Sequence, residues 1–293
     1  KWVPLAPTLS CLFFFAPRGT TAMRCAAVLA AAAAAFVSLR GNSVGTDDSN
    51  KTAAKPCNCE AANPMWHAPP MNRPSKCVFI DLGAADGNTF QQFITNGYGP
   101  VGNCPSGGAW EAYLVEANPR FEPNLRAVQQ QYPGKVHVFA STAAYMCAAT
   151  TSFFLDTTNH GHNYWGSSMS ASHPDVVKSG QVKVTVPTVN VIRMIMENTV
   201  QGDWVMLKMD IEGAEWDIVP CLASSPFAPL VDAFYLEEHP RSWNPDTQTT
   251  EADMQNAKAY LVSKGVNMPQ YFSQTFFLLN GTEPAGSNTT LGK

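Results

Sequence analysis

An apolar run followed by a glycine-containing turn constrains the fold of this chain more than any other stretch. The segment CVFIDLGAADGNTF spans residues 77–90, and its opening residues form the continuous apolar run that predicts a buried strand. Gly83 and Gly87 follow, and an amphipathic run starts near Asn88. Strand, glycine turn and helix in this order predict a nucleotide-binding crossover in an α/β sheet. The two glycines would let the backbone pass close to a ligand, because neither has a Cβ atom.

The charge and spacing of this turn favour one class of ligand. Asp81 places a carboxylate at the end of the strand, which suits a ligand with an amino group. The pattern D-x-G-x-x-x-G also differs from the G-x-G-x-x-G spacing of dinucleotide sites. The turn therefore favours S-adenosylmethionine over a dinucleotide.

Length and charge limit the class of protein. The 293 residues leave room for one α/β domain of ordinary size with flanking segments. The net charge is -4, and Lys and Arg do not cluster anywhere in the sequence. We therefore expect no nucleic-acid partner.

The N-terminal region has the composition of a targeting segment. Arg24 precedes an uncharged, alanine-rich run over residues 25–39, as in a signal peptide. We predict a leader over 1–40, either a cleaved signal or a short anchor that tethers the chain to a membrane. A disordered linker over 41–75, the catalytic domain over 76–280 and a loose tail over 281–293 would follow.

The leader and the cysteines favour the secretory pathway. A plastid-type organelle is the alternative, because the segment is rich in Ala, contains Arg and lacks acidic residues. Cys57, Cys59 and Cys104 lie in loop-like sequence and could pair in an oxidising lumen. Cys77 and Cys221 lie in apolar runs, where we expect buried thiols.

Strand-like and helix-like segments alternate through the predicted domain. Core strands are expected at 77–81, 111–116, 136–140, 204–209 and 233–237, extra strands at 151–156 and 182–186, and a final antiparallel pair at 267–272 and 275–279. A helix is expected over 188–198. This alternation predicts an α/β fold with a Rossmann-like, seven-stranded, mostly parallel sheet and helices on both faces.

Acidic residues concentrate where these strands end. The acids are Asp81, Glu116, Asp210, Glu212 and Glu238, and His239 lies next to the last of them. Ligands of open parallel sheets bind at this edge, and Glu116 is placed to accept the hydroxyls of a ribose. Lys208 lies in an apolar strand and should therefore pair with a nearby acid. The polar loop over 157–173 is long enough to cover an acceptor site.

The stretch KMDIEGAE at 208–215 resembles the K-x-D-x-E-G-x-E signature of the FkbM-type methyltransferases. The segments DLGAADGNTF, YLVEANP, SSMS, VKVTVPTVNVI and YLEEHP resemble the same family in order and spacing, from Cys77 to Leu279. Two positions depart from the family pattern: Ala85 stands where Asn is common, and Ala117 where Pro often follows the acid. The resemblance implies an S-adenosylmethionine-dependent O-methyltransferase of the seven-stranded Rossmann-like class.

The resemblance also implies roles for individual residues. The cofactor-binding set would be Asp81, Gly83, Ala85, Gly87, Glu116 and Asn118, and the catalytic set Asp210, His239 and Lys208. The acceptor would be a hydroxyl of a sugar or of another small polar molecule. Asp210 or His239 would remove its proton. We predict no metal site, although a divalent ion on Asp210, Glu212 and Glu238 is an alternative way to lower the pKa of the hydroxyl.

Two other functions remain open on the sequence. A nicotinamide-dependent oxidoreductase shares an acid after the second strand, but its glycine pattern is absent. A non-catalytic module that binds glycans or partners could keep the same fold.

Overall fold

The computed structural model describes only part of the chain. The described residues are Cys57, Pro69, 72–102, Cys104 and 109–270. The chain divides into two units, 1–50 and 51–293, and every described residue belongs to the second. The predicted leader and tail, most of the predicted linker and most of the final strand pair therefore lie outside the described residues. Within them, no helix has the length and apolar character that a membrane crossing requires.

Strands and helices alternate along the described residues. In chain order they are β1 Cys77–Leu82, α1 Asn88–Ile94, α2 Gly99–Gly102, β2 Trp110–Glu116, α3 Glu122–Gln131, β3 Val136–Ala140, β4 Ala143–Tyr145, β5 Thr150–Phe154, α4 Pro174–Lys178, β6 Lys183–Asn190, α5 Val191–Asn198, β7 Trp204–Met209, α6 Glu215–Ser224, β8 Ala233–Leu236 and α7 Glu251–Ser263.

The central sheet has the order β3-β2-β1-β7-β8, and each neighbouring pair is parallel. The predicted α/β class and parallel sheet are confirmed. The prediction of seven strands is not, because the central sheet has five strands among the described residues. Asn267, at the start of the predicted final pair, forms only an isolated bridge to Ala233.

The extra strands build a separate small sheet. Its order is β4-β6-β5, with β4 parallel and β5 antiparallel to β6. Exposed and less exposed residues mix along β5 and β6, whereas all six residues of β1 are buried. A strand that has water on one face does not fit into a sheet that helices cover on both faces. This is why these strands do not extend the central sheet.

Helices cover both faces of the central sheet, as predicted. Val78 and Ile80 of β1 belong to an apolar cluster that includes residues of α5, α6 and α7. Phe79, between them in sequence, belongs to a second cluster with residues of α1 and α3. This division follows from the alternation of side chains along a strand.

The cysteines depart from the prediction of buried thiols. Cys77 is bonded to Cys104, with a Cα–Cα distance of 5.8 Å, and Cys221 is bonded to Cys57, at 5.0 Å. Cys147 is also disulfide-bonded. Cys77 and Cys221 are buried as expected, but a cysteine from outside the regular elements reaches each of them. The apolar sequence around them indicates burial and carries no information about such a partner.

Candidate active site

A cleft lies at the carboxyl ends of the central strands. In the sheet order, β2 lies on one side of β1 and β7 on the other, so the chain order reverses between β1 and β7. Ligands of open α/β sheets bind at such a switch point. The charged residues that line the cleft come from the ends of β2, β7 and β8: Glu116, Lys208, Asp210, Glu212 and Glu237.

The glycine turn after β1 is shaped by its own packing. Gly83 has φ 83, and a Cβ atom there would lie 1.9 Å from the backbone oxygen of Asp210. Gly87 has φ 90, and a Cβ atom there would lie 3.3 Å from Val128 Cγ2. Gly83 is therefore required by the backbone of Asp210 and Gly87 by its positive φ, both different reasons from the ligand approach expected from the sequence. Gly83 and Ala85 line the cleft.

Glu116 lies at the end of β2 and is 8% exposed. Its Oε2 accepts a hydrogen bond of 2.8 Å from the backbone N–H of Ala85, and its Oε1 accepts one of 2.7 Å from that of Asn118. Burial raises the pKa of Glu116 to about 7, although the two N–H groups act in the opposite direction. Each carboxylate oxygen can still accept a second hydrogen bond.

Asn118 lines the cleft, but its side chain is engaged with the protein. Its Oδ1 accepts a hydrogen bond of 3.1 Å from the backbone N–H of Arg120 and caps the short 3-10 helix Pro119–Phe121. Its Nδ2 donates to Ser167 Oγ at 3.1 Å. Asn118 is therefore an N-cap, and binding of a cofactor by this side chain stays a prediction.

Lys208 is buried at the floor of the cleft and pairs with acids, as predicted. Its Nζ donates to the backbone oxygen of Gly83 at 2.7 Å, and it lies 3.4 Å from Asp81 Oδ1 and 3.5 Å from Asp210 Oδ2. Asp81 is fully buried and also accepts a hydrogen bond from Thr89. Burial raises the pKa of Asp81, although Lys208 opposes this shift. The structure places Asp81 below the cleft, not among the residues that line it.

His239 lies behind Asp210 and Glu212, and is 7% exposed. Its Nδ1 lies 3.0 Å from Glu215 Oε1, and its Nε2 lies 3.4 Å from Glu212 Oε2 and 3.7 Å from Asp210 Oδ1. Burial alone would lower the pKa of His239, but the hydrogen bond to Glu215 and the charges of Glu212 and Asp210 raise it to about 10. The imidazole therefore holds a proton at neutral pH, which does not suit the predicted role as a base.

Glu212 begins a left-handed turn after β7. Its φ is 56, and that of Gly213 is 107. His173 Nε2 lies 3.1 Å from Glu212 Oε2, while His173 Nδ1 accepts a hydrogen bond from the backbone N–H of Asp175 at 3.2 Å. The proton of His173 is thereby assigned to Nε2, which donates to Glu212. Burial raises the pKa of Glu212.

The acid that β8 brings to the cleft is Glu237, not Glu238 as the sequence suggested. Glu238 forms an ion pair with Lys258 of α7. Glu237 lines the cleft, and burial raises its pKa to about 7. Because adjacent side chains of an extended chain point in opposite directions, only one of two neighbouring acids can face the cleft. The sequence also missed Glu215 and His173 as partners of the site, since neither lies next to a strand end.

The loop over 157–173 lies along the cleft, as expected. Tyr164 and Trp165 line it. The guanidinium of Arg120 lies 3.7 Å from the centroid of the Tyr164 ring, and Asn163 Nδ2 donates to Asp86 Oδ2 at 3.2 Å. The loop is thus attached both to the segment after β2 and to the glycine turn.

Comparison with known proteins does not assign the chain to a family. No family model matches the chain, and no curated protein or solved structure matches it. The resemblance to the FkbM-type methyltransferases stays a prediction from motifs. Several of the stretches that carry it contribute residues to the lining of one cleft, among them Gly83, Glu116 and Asp210.

Proposed function

We propose that this chain is an S-adenosylmethionine-dependent O-methyltransferase that acts on a hydroxyl of a sugar or another small polar molecule. The observation that supports this most is the charge of the cleft. Four of its five charged lining residues are carboxylates. Among the described lining residues the single cation is Lys208, which already donates to Gly83. A pyrophosphate would meet carboxylates there, whereas a ligand with an ammonium and a sulfonium group would be attracted.

The lining of the cleft fits the parts of this cofactor. Glu116 has one free acceptor position on each oxygen, which suits the two hydroxyls of a ribose. The apolar lining residues suit a flat adenine ring: Ala117, Phe121, Ala143, Ala144, Phe153 and Met169. The turn at Gly83 and Ala85 would adjoin the methionine part, with Asp81 acting from below through Lys208.

The residues of the chain would position the acceptor and move its proton. S-adenosylmethionine supplies a methyl group that is already activated on a sulfonium. Alignment of the acceptor oxygen therefore accounts for most of the catalysis. Glu237 and Asp210 both line the cleft, and the pKa of about 7 suits Glu237 for accepting the hydroxyl proton at neutral pH. His239 would hold Asp210 and Glu212 in place.

The disulfides support the proposal of a secretory location. Cys57–Cys221 and Cys77–Cys104 form two cross-links, and Cys147 is bonded as well. Structural disulfides persist in oxidising compartments and are rare in the cytosol.

Calorimetric titration with S-adenosylhomocysteine tests the cofactor. We expect wild-type protein to bind one equivalent, and Glu116→Gln to weaken binding at least about tenfold, because one acceptor oxygen is replaced by a donor. Glu122→Gln is the control, since Glu122 is a partly exposed acid at the start of α3 that does not line the cleft. Absence of binding at millimolar concentration, or binding of NAD instead, would overturn the proposal.

A transfer assay with radiolabelled methyl groups tests the reaction. Total cell glycans and a set of small hydroxylated metabolites serve as acceptors. We expect label in one of these fractions with wild-type protein and at least about a hundredfold less with Glu237→Gln, which removes the proposed proton acceptor. Cofactor binding without transfer to any acceptor would favour the non-catalytic module.

A further inference from the structure

Three side chains from the ends of two neighbouring strands converge at the edge of the cleft. Asp210 and Glu212 follow β7, and His239 follows β8. One ligand atom of each lies within 4.8 Å of the others. Atoms that share one ion at about 2.1 Å lie about 3.0–3.4 Å apart. The distances from His239 Nε2, 3.4 Å to Glu212 Oε2 and 3.7 Å to Asp210 Oδ1, are close to this value.

His239 has the arrangement of a metal ligand. Glu215 holds its Nδ1 at 3.0 Å, which directs Nε2 towards the two carboxylates. Nε2 forms no hydrogen bond within the part of the chain that the structure describes, although the side chain is only 7% exposed. Metal-binding histidines commonly have their second nitrogen bound to a carboxylate in this way. Trp243 stacks on the ring, with centroids 5.3 Å apart, and restricts its rotation.

The two carboxylates are also held from behind. His173 Nε2 donates to Glu212 at 3.1 Å, and Asp210 uses Oδ2 towards Lys208 while Oδ1 faces His239. Such outer contacts orient the ligands of a metal site. Glu237 adds a further carboxylate, 4.0 Å from His239 Nε2. Three carboxyl groups therefore surround His239 Nε2, at 3.4–4.0 Å.

We propose that Asp210, Glu212 and His239 bind one divalent transition-metal ion, of the Mn²⁺ or Zn²⁺ class. Two carboxylates and one imidazole form a mixed set of oxygen and nitrogen donors, which suits these ions better than Ca²⁺. Asp210 and Glu212 line the cleft, so the open positions of the ion face it. Oxygen atoms of a cleft ligand would complete the coordination.

Metal binding is measured on the full, chelator-treated chain without any methyl donor. Mn²⁺ is followed by the loss of its free electron paramagnetic resonance signal, and Zn²⁺ by calorimetry. We expect one ion per chain, and at least about tenfold weaker binding in His239→Gln and in Glu212→Gln. His162→Gln, in the exposed part of the loop along the cleft, should bind as the wild type does.

The outcome separates this site from the proposed function. If wild-type protein binds neither ion, or both variants bind as tightly as the wild type, the site is refuted, while binding of S-adenosylhomocysteine is unaffected. Circular dichroism shows whether each variant is folded. If one variant does not fold, metal binding by the wild type and by the other variant tests the site.

Discussion

Glu116 is a buried carboxyl group whose protonation is coupled to folding. Burial raises its pKa from 4.5 to about 7 in the folded chain. A carboxyl group with a raised pKa binds its proton more tightly when the chain is folded, so its protonated form stabilises the fold. This stabilisation is complete below about pH 4.5 and is lost as the pH rises through about 7.

The variant Glu116→Gln should reduce the pH dependence of stability. The free energy of unfolding of the wild type should fall between about pH 5 and about pH 8. Glu116 should account for up to about 3 kcal/mol of this fall. The variant should lose the contribution of Glu116 to this fall, but it should keep the contribution of Glu237, whose pKa is also raised. Urea unfolding at several pH values measures both slopes. Glu122→Gln should retain the wild-type slope, and identical slopes in all three proteins would refute the prediction.

Gly83 and Gly134 form a matched pair, because both have a positive φ, 83 and 73, but different surroundings. A Cβ atom at Gly83 would lie 1.9 Å from the backbone oxygen of Asp210, whereas a Cβ atom at Gly134 would have no neighbouring atom within 4 Å. Gly134→Ala should cost about 1 kcal/mol of backbone strain. Gly83→Ala should cost at least about 2 kcal/mol more, because β7 must move. Thermal unfolding compares the two, and equal losses would contradict the close approach.

For single residues, the sequence predicts best the behaviour of a charged side chain that lies within an apolar run. Lys208 was expected to pair with an acid because an isolated buried charge is costly, and it does. The choice between Glu237 and Glu238 depends on where β8 ends, and strand boundaries shift by a residue or two. Glu215 lies at the start of α6, and its contact with His239 crosses 24 residues, which no local pattern predicts.

The boundary between β6 and α5 shows how an element ends. A helix was expected from Thr188, but β6 continues to Asn190 and α5 begins at Val191. The Oγ1 of Thr188 donates a hydrogen bond of 2.6 Å to the backbone oxygen of Cys147, and this contact holds Thr188 in the small sheet. Asn190 caps the helix through a hydrogen bond of 3.0 Å from the backbone N–H of Arg193.

Loss of this cap should destabilise the domain. Asn190→Ala removes the acceptor at the start of α5 and should lower the free energy of unfolding by about 1–2 kcal/mol. Asn190→Ser keeps an acceptor and should retain most of the stability. Urea unfolding of both variants gives the comparison. Equal stability of Asn190→Ala and the wild type would show that the cap contributes nothing.

The five central strands were predictable because each is a short apolar run followed by a polar turn. The pairing of strands was not predictable in the same way. β5 and β6 were expected as strands, but nothing in their alternation shows that they pair with each other in a second sheet. Strand pairing depends on contacts between distant segments, which a local pattern does not contain.

At the scale of the whole molecule, two disulfides close loops of very different length. Cys57 and Cys221 are 164 residues apart, and Cys77 and Cys104 are 27 apart. In the chain-entropy account, a longer loop restricts the unfolded chain more.

Removal of the longer link should therefore destabilise the protein more. Cys57→Ala with Cys221→Ala should cost about 5 kcal/mol, and Cys77→Ala with Cys104→Ala about 3.5 kcal/mol. The two pairs are matched, because each joins a buried cysteine of a regular element to one outside. Guanidinium unfolding measures the difference. Wild-type stability in both double variants would indicate that neither link restricts the unfolded chain.

The long link also determines the order in which the chain matures during synthesis. β1, β2 and β3 emerge from the ribosome early and can pair, while the other edge of β1 waits for β7. Cys59, Cys77, Cys104 and Cys147 are all made before Cys221, so Cys57 meets four other thiols before its own partner appears. Bonds formed with them must be exchanged, on a scale of seconds to hours. If the chain matures in an oxidising compartment, as proposed, thiol exchange is the slow step and a disulfide isomerase sets its rate.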